Sequence, residues 1–492
     1  MDYLDPQKKK QKKIRLMLMY ALLGIAIAIA TVVMVYLVNG YTVDKETGEV
    51  VQNSLLYLDS KPESAEIYLN GEKQRGRTDA RLVIPEGNYS VEMRRSGYRN
   101  WSREILLEGG SLRRLTYARL VPERLDTEIG LNLPVAPTMI SQSNDKRWLL
   151  MAFTDSPLKM RVVDLERPQL QLVELQLPLD LLTSKAAGTW EAVEWADDNK
   201  TILARYTTSE GSEYVLVNRE NGTLARNVQA IFPSTTFKRV ELRARKNDQL
   251  YLFDGKSVLR GNIGNAQVEL VQDDVIDFEP YGDDVFLFVT SKDTSEGMVW
   301  AYLRRGTDSY KLRELKKSDQ YLMDISKLGN ALVMGVGSVV ENRVIVYNDP
   351  INALKKNDFS NLPVPTTVMK ADKPEELAIS ADSSVIIVRG ESTLSSHEFE
   401  ADRSYSFKLN GTADKDSRLR WMDGQHFTVS INNVQWMSDF DGSNQYELVE
   451  SSPALGASAD KDFDFLFTYL EPESAGGPYR MMRTFMRTPE DR

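Results

Sequence analysis

A run of 23 residues without a charge, Leu16 to Val38 (LMLMYALLGIAIAIATVVMVYLV), constrains this chain more than any other feature. As a helix rising about 1.5 Å per residue it reaches roughly 34 Å, enough to cross a hydrocarbon core of about 30 Å. Tyr20 and Tyr36 stand near its two ends, where amphipathic rings prefer the headgroup level. Before the run, Lys8, Lys9, Lys10, Lys12, Lys13 and Arg15 are opposed only by Asp2 and Asp5; after it, Asp44, Glu46 and Glu49 are opposed only by Lys45. Basic flanks stay on the cytoplasmic side, so residues 1–15 are expected as a cytoplasmic tail, residues 16–38 as a transmembrane helix, and the rest outside. The cluster KKKQKKIR is then a topology determinant resting on anionic lipid rather than a nucleic-acid patch. A cleaved signal peptide is the competing reading, with Ala28-Ile29-Ala30 as its cleavage site, but the apolar run continues through VVMVYLV beyond that point.

A chain of 492 residues is too long for one ordinary domain. It has no cysteine, which excludes disulfide staples, thiolate metal sites and a cysteine nucleophile. Its two histidines, His397 in SSHEFEAD and His426 in DGQHFTV, are too few for a histidine metal site and are expected at the surface or a strand edge. Residues 1–15 carry +4 of a net charge of −10, leaving −14 on the remainder. An acidic body argues against nucleic acid as partner, because phosphate binding needs clustered Lys and Arg. The chain contains no P-loop, no G-x-G-x-x-G ahead of a helix and no G-x-S-x-G elbow. The acidic pairs Asp197/Asp198, Asp273/Asp274 and Asp283/Asp284 lie beside turns, where Asp stabilises backbone, and Asp439 to Asn444 reads as a hairpin turn rather than a calcium loop. No catalytic residue, cofactor-binding residue or metal ligand is predicted.

Residues 39–54, polar and holding Gly40 and Gly48, are expected as a linker. From Leu55 the period changes to the alternation of strands, through LLYLDS, AEIYLN, ARLVIP, YSVEMRR and SREILLE. Asn70-Gly71 between two such runs is the strongest short-range hairpin signal, because a type I′ turn needs positive φ at both central residues. This part carries Pro62-Glu63-Ser64-Ala65, then Tyr68 ahead of Asn70-Gly71, Gly76 and Thr78, then Gly87 and Tyr89, then Gly97-Tyr98. On those residues the stretch 55–122 resembles a PEGA domain, a small β-sandwich-like module of bacterial and archaeal envelope proteins. Ser64 departs from the glycine of the name-giving motif, and Asp79 from the proline expected after Thr78. The resemblance implies structural roles for these glycines and tyrosines and brings no catalytic residue. Within it, RRSGYRNWSR reads as a packed tyrosine beside a solvated basic strand, a ligand face being the alternative.

The remainder, 123–492, repeats a unit of four short strands at a spacing of roughly 35–50 residues. Eight copies are discernible, from SQSNDKRWLLMAFTD to ALGASADKDFDFLFTYL. One small antiparallel sheet cannot bury both faces, so such units stack radially as the blades of a propeller. Seven or eight blades are expected, since terminal units often close the ring jointly; a row of unrelated sandwiches is the alternative. The turns Asn144-Asp145-Lys146, Asp197 to Lys200 and Ser380 to Ser383 resemble those of TolB-like and WD40-like propellers. The fold class is therefore an all-β ectodomain behind one N-terminal transmembrane helix: a PEGA-like sandwich, then a β-propeller.

Anchor, adaptor module and loop-rich propeller together suggest a non-enzymatic envelope protein, integral to the membrane and needing no cofactor, that binds an envelope protein or cell-wall glycan. Two alternatives stay open. One is a glycan-active hydrolase or lyase using carboxylates in the propeller channel, which acidic residues converging with a Tyr or Arg would favour. The other is an external sensor relaying through a membrane partner.

Overall fold

The computed structural model describes residues 6–43, 48–356, 361–474 and 477–492. Helix α1, Pro6–Val38, is unbroken from the basic cluster through the apolar run, because no proline interrupts either part. It ends where Gly40 takes a φ of +81° and donates its N–H to the Leu37 carbonyl, the usual left-handed stop. From Lys9 to Val38 every residue is exposed. Lys9, Lys10, Lys12, Lys13 and Arg15 sit exposed on its first turns; Lys8 is helical, but its side chain lies outside the described residues. Asp2, Asp5, Asp44, Lys45 and Glu46 also lie outside them.

The first compact unit comprises residues 1–124 together with 489–492. It holds two four-stranded sheets. In one, the strand Val50–Lys61 pairs antiparallel with Tyr41–Val43 and Ala80–Pro85 and parallel with Leu112–Arg119. In the other the order is Glu72–Arg77, Glu66–Leu69, Gly87–Arg94, Trp101–Leu107. Within the expected linker, 39–54, residues 41–43 and 50–54 are strand. Val50 and Val51 favour extended backbone, but this end of the strand is exposed or half-buried on both faces, so it lacks the period-2 signal of a half-buried strand. Strand Glu72–Arg77 (EKQRGR) escapes sequence reading for a similar reason: it has no apolar residue and only one position that is not fully exposed. Asn70 (φ +51°) and Gly71 (φ +82°) form the expected two-residue turn. Leu56, Leu58, Ile67, Val91, Met93, Trp101 and Leu115 fill the core between the sheets.

The second unit, 125–488, contains eight four-stranded antiparallel sheets among its described residues. In chain order they span 137–176, 188–227, 239–272, 277–316, 321–370, 376–407, 420–450 and 458–485. The first seven are meanders, and neighbouring blades stack through apolar side chains. Met160 and Val162 of blade 1 meet Trp190 and Ile202 of blade 2, while Leu303 of blade 4 shares a cluster with Met334 of blade 5. Blade 8 supplies only three of its own strands. Its fourth is Thr127–Leu133, which runs antiparallel to Tyr479–Phe485. Phe467 and Met481 of that blade then pack with Leu149, Met151 and Val163 of blade 1, which closes the ring. The count is eight, with first and last segments of the unit sharing one blade.

Candidate functional site

The first strand of each blade lines a central channel. These strands have one edge free of ladder partners, so the N–H groups on that edge need other acceptors. Side chains of the preceding blade supply several. Glu194 of blade 2 accepts from the Leu242 N–H of blade 3, Asp324 of blade 5 from Ile379 N–H at 2.6 Å, and Glu376 of blade 6 from Leu419 N–H at 3.1 Å. The polar residues alternating along these strands are therefore channel residues.

Two adjoining cavities make up the channel. One of about 660 Å³ lies against blades 2 to 6, and another of about 520 Å³ against blades 7, 8, 1 and 2; they share Glu191, Ala192, Val193 and Arg418. At the centre of the first is Arg239. Its guanidinium donates to Glu241 Oε1 at 2.7 Å, Asp277 Oδ1 at 3.2 Å, Glu279 Oε2 at 3.0 Å and the Phe278 carbonyl at 2.7 Å. Tyr214 and Tyr321 line the same space. Burial pushes the Glu279 carboxyl up to about 8, against the pull of Arg239. It pushes Glu194 up to about 8 as well, with the charge of Glu241 adding to it, and Asp324 up to about 7.

A pH dependence follows from these acids. Where the folded pKa of an acid lies above its unfolded value, the folded state keeps a proton that the unfolded state has released, and stability falls as pH rises between the two values. For Glu279 that window runs from about 4.5 to about 8. Channel water reaches 32% of the Glu279 side chain, which moderates the effect. The propeller is expected to lose about 1–3 kcal/mol between pH 5 and pH 8.5, and Glu279→Gln to flatten that slope. Melting curves across the range check it; a slope of opposite sign in the parent, or an unchanged slope in the variant, would contradict it.

Turns at the end of these inner strands bind one another. Asp198 accepts from the N–H groups of Lys200 and Thr201 at 2.7 and 2.8 Å, and from Asn247 of blade 3 at 2.9 Å. Asp382 accepts from Ser384 N–H at 3.0 Å and from Gln425 of blade 7 at 3.1 Å. Lys146, Asn199 and Ser383 each take a left-handed φ there. Asp283 serves the same ring through Lys246 at 3.0 Å, and Asp273 accepts from Ser257 at 2.8 Å. Asp439 to Asn444 is a hairpin turn, with Asn444 donating to Asp439 Oδ2 at 2.9 Å.

Both histidines are buried within blades rather than at the surface, although His426 does stand at a strand start, in His426–Ile431. His397 lies on the strand Leu394–Glu398, 1% exposed, with Nδ1 3.0 Å from Ser404 Oγ. Burial lowers its pKa, with Asp402 and Glu398 opposing. His426 is fully buried between Asp423, 2.8 Å from Nδ1, and the buried Asp439, 3.3 Å from Nε2. Their polar sequence neighbours suggest surface; packing against adjacent strands and blades overrides that local signal.

The PEGA-motif residues are placed as follows. Ala65 is buried, and its N–H donates to Thr78 Oγ1 at 2.9 Å; Thr78 also meets Ser60 Oγ at 2.6 Å, beside Pro62. Tyr68 lies under Arg94, 4.2 Å from the ring centre. Asn70 Oδ1 accepts from Ser90 N–H at 2.8 Å, and Tyr89 donates to the Pro85 carbonyl at 3.0 Å. Gly71, Gly76 and Gly97 have φ of +82°, +94° and +81°, while Gly87 opens the strand Gly87–Arg94. Tyr98 is buried and donates to Asp491 Oδ2 at 2.7 Å, and Trp101 is buried beside it, so the basic stretch holds packed aromatics.

Residues 53–120 match the PEGA domain family. The chain thus joins an apolar N-terminal helix, a PEGA domain and an eight-bladed β-propeller. No curated protein matches it. Among solved structures, Kluyveromyces lactis Hsv2 is 11% identical over 64% of this chain and 98% of its own, with a TM-score of 0.40. The Cps50 (Swd1) β-propeller domain of Myceliophteria thermophila is 11% identical over 74% and 100%, with a TM-score of 0.39. Dihydro-heme d1 dehydrogenase NirN in complex with DHE is 12% identical over 65% and 67%, with a TM-score of 0.42.

Proposed function

We propose that this chain is a membrane-anchored, non-catalytic binding scaffold. Its N-terminus lies in the cytoplasm, and its PEGA domain and propeller stand on the outer side, where the propeller takes up an envelope protein or a cell-wall glycan. The observation that carries this reading is helix α1: long and apolar enough to span a bilayer, exposed along its apolar run, with exposed lysines on its first turns and two β units after it. The ring of mutually bonded turns supports it, because loops held this way form a rigid binding rim.

Arg239 and its carboxylates favour a second reading, a glycan-active hydrolase or lyase. Acidic groups, an arginine and two tyrosines do converge in one cavity, and Glu279 holds its proton to about pH 8. Against this stands their engagement: Glu241, Asp277 and Glu279 all point oxygens at Arg239, and Glu194 is bonded to Leu242 N–H.

The full chain in lipid nanodiscs, mixed with isolated cell-wall polymers or purified envelope proteins, separates the two. Saturable retention with the ligand unchanged is the expected result. Shortened or unsaturated glycans, lost in Glu279→Gln, would replace the scaffold with the enzyme.

A further inference from the structure

Two arginines of the channel differ from the others. Arg239 is matched by three carboxylates and Arg205 by Glu191. Arg418 and Arg420 line the 520 Å³ cavity, and their side chains make no hydrogen bond or ion pair among the described residues; Tyr469 and Glu376 act on Arg420 only through their charge. Arg418 is open to the channel and Arg420 is half-buried. A partly buried guanidinium whose donors are left without acceptors is costly and is not retained for stability alone.

Its setting is built to hold that charge in place. A Cβ at Gly456 would stand 2.7 Å from Arg420 Nε, so the glycine leaves the space in which the guanidinium lies. Burial lowers the Arg420 pKa, with Tyr469 and Glu376 opposing and the neighbouring Arg418 adding to it. Next along the strand, the Trp421 indole N–H is buried in the same wall and has no acceptor among the described residues. The ammonium of Lys146 lies at the same cavity, 4.0 Å above the Phe463 ring. Glu191 and Asp416 are the acids of the lining, and Glu191 is taken by Arg205. Donors thus dominate this cavity in a chain whose net charge is −10. Met139, Trp190, Leu455 and Leu466 give it an apolar wall.

We propose that this side of the channel is a binding site for a small oxyanion-bearing ligand, a carboxylate or a phosphate, gripped by Arg418 and Arg420 with the Trp421 N–H as a further donor. Planar guanidinium groups pair with either oxyanion through two parallel hydrogen bonds, and the apolar wall packs the body of the ligand. The site is independent of the partner at the propeller rim, so its failure would leave the scaffold reading standing.

The test titrates the full chain in nanodiscs, at low salt, with inorganic phosphate and separately with glucuronate; glucose is the neutral control. At least one anion is expected to bind saturably and to raise the melting temperature, and the tighter of the two identifies the source chemistry. Arg420→Met should weaken that binding tenfold or more, Trp421→Phe severalfold, and Lys185→Gln on the outer surface not at all. Without anion, Arg420→Met is expected to melt at or above the parent temperature, because a half-buried charge without hydrogen-bond acceptors has gone. Arg418→Met, at a more open position, gives the same readout should the first variant fold poorly. Absence of saturable binding by both anions, equal binding of glucose, or parent-like affinity in the arginine variants would overturn the site.

Discussion

Replacing Arg239 by methionine is expected to destabilise the propeller by about 3–5 kcal/mol at pH 8, the usual cost of removing one partner from a buried charge cluster. Methionine keeps the apolar stem and roughly the length, so the loss falls on the charge and its hydrogen bonds rather than on packing. Glu241, Asp277 and Glu279 would be left facing one another without their shared cation. Burial already raises the pKa of Asp277 and Glu279 with Arg239 opposing the rise; without it they would rise further. At pH 5 the leftover acids then take up protons and their repulsion fades, so the penalty should shrink by half or more. Denaturant titrations of parent and variant at the two pH values check this. A penalty that is absent at pH 8, or larger at pH 5, would mean that Arg239 does not neutralise the cluster.

Deleting residues 127–133 should cost more, because it removes the closure of the ring. Six residue pairs join this strand to Tyr479–Phe485, and the fully buried Leu133 packs in the cluster shared by blades 8 and 1. Without it, blade 8 becomes a three-stranded sheet with an open edge, and Met481 and Tyr479 lose their cover. A closed ring distributes stability over every blade interface, whereas an opened one frays from its ends. The expected result is loss of the cooperative unfolding transition together with aggregation at micromolar concentration. Reattaching the same seven residues after residue 488 should restore the transition, since the strand would again reach its partner. A deletion variant that melts within a few degrees of the parent would show that closure contributes little.

How much of this is legible in the sequence depends on whether a feature is local. The apolar helix, the Asn70-Gly71 turn and the strands with one buried face announce themselves, because each is fixed by residues next to one another. Trp101–Leu107 alternates strictly between buried and exposed, and its sequence says so. Leu112–Arg119 carries Arg113 and Arg114 between its apolar residues and joins the sheet by parallel pairing with residues 57 or 58 positions away, a link with no local signature. The channel is less legible still. Glu194, Arg239, Asp277, Glu279 and Asp324 lie on four different inner strands, where each reads as one more polar position of a half-buried strand. Only the ring brings them together. The same holds for Arg418 and Arg420, whose lack of hydrogen-bond acceptors among the described residues is a property of the cavity and not of DSRLRW. His426 misleads in the opposite direction, for a polar turn beside it hides its complete burial.

The chain's lack of cysteine allows a direct test of the central claim, that the helix anchors a scaffold displayed on the outer side. Single cysteines would replace Gln11, on the N-terminal side of the apolar run, and Lys185, on the exposed surface of the propeller. Intact spheroplasts would then be treated with a membrane-impermeant maleimide. Labelling of the Lys185→Cys protein in intact cells, and of the Gln11→Cys protein only after permeabilisation, with both in the membrane fraction, is the result expected. Labelling of Gln11→Cys in intact cells with protection of Lys185→Cys, or release of the propeller into the soluble fraction, would contradict it.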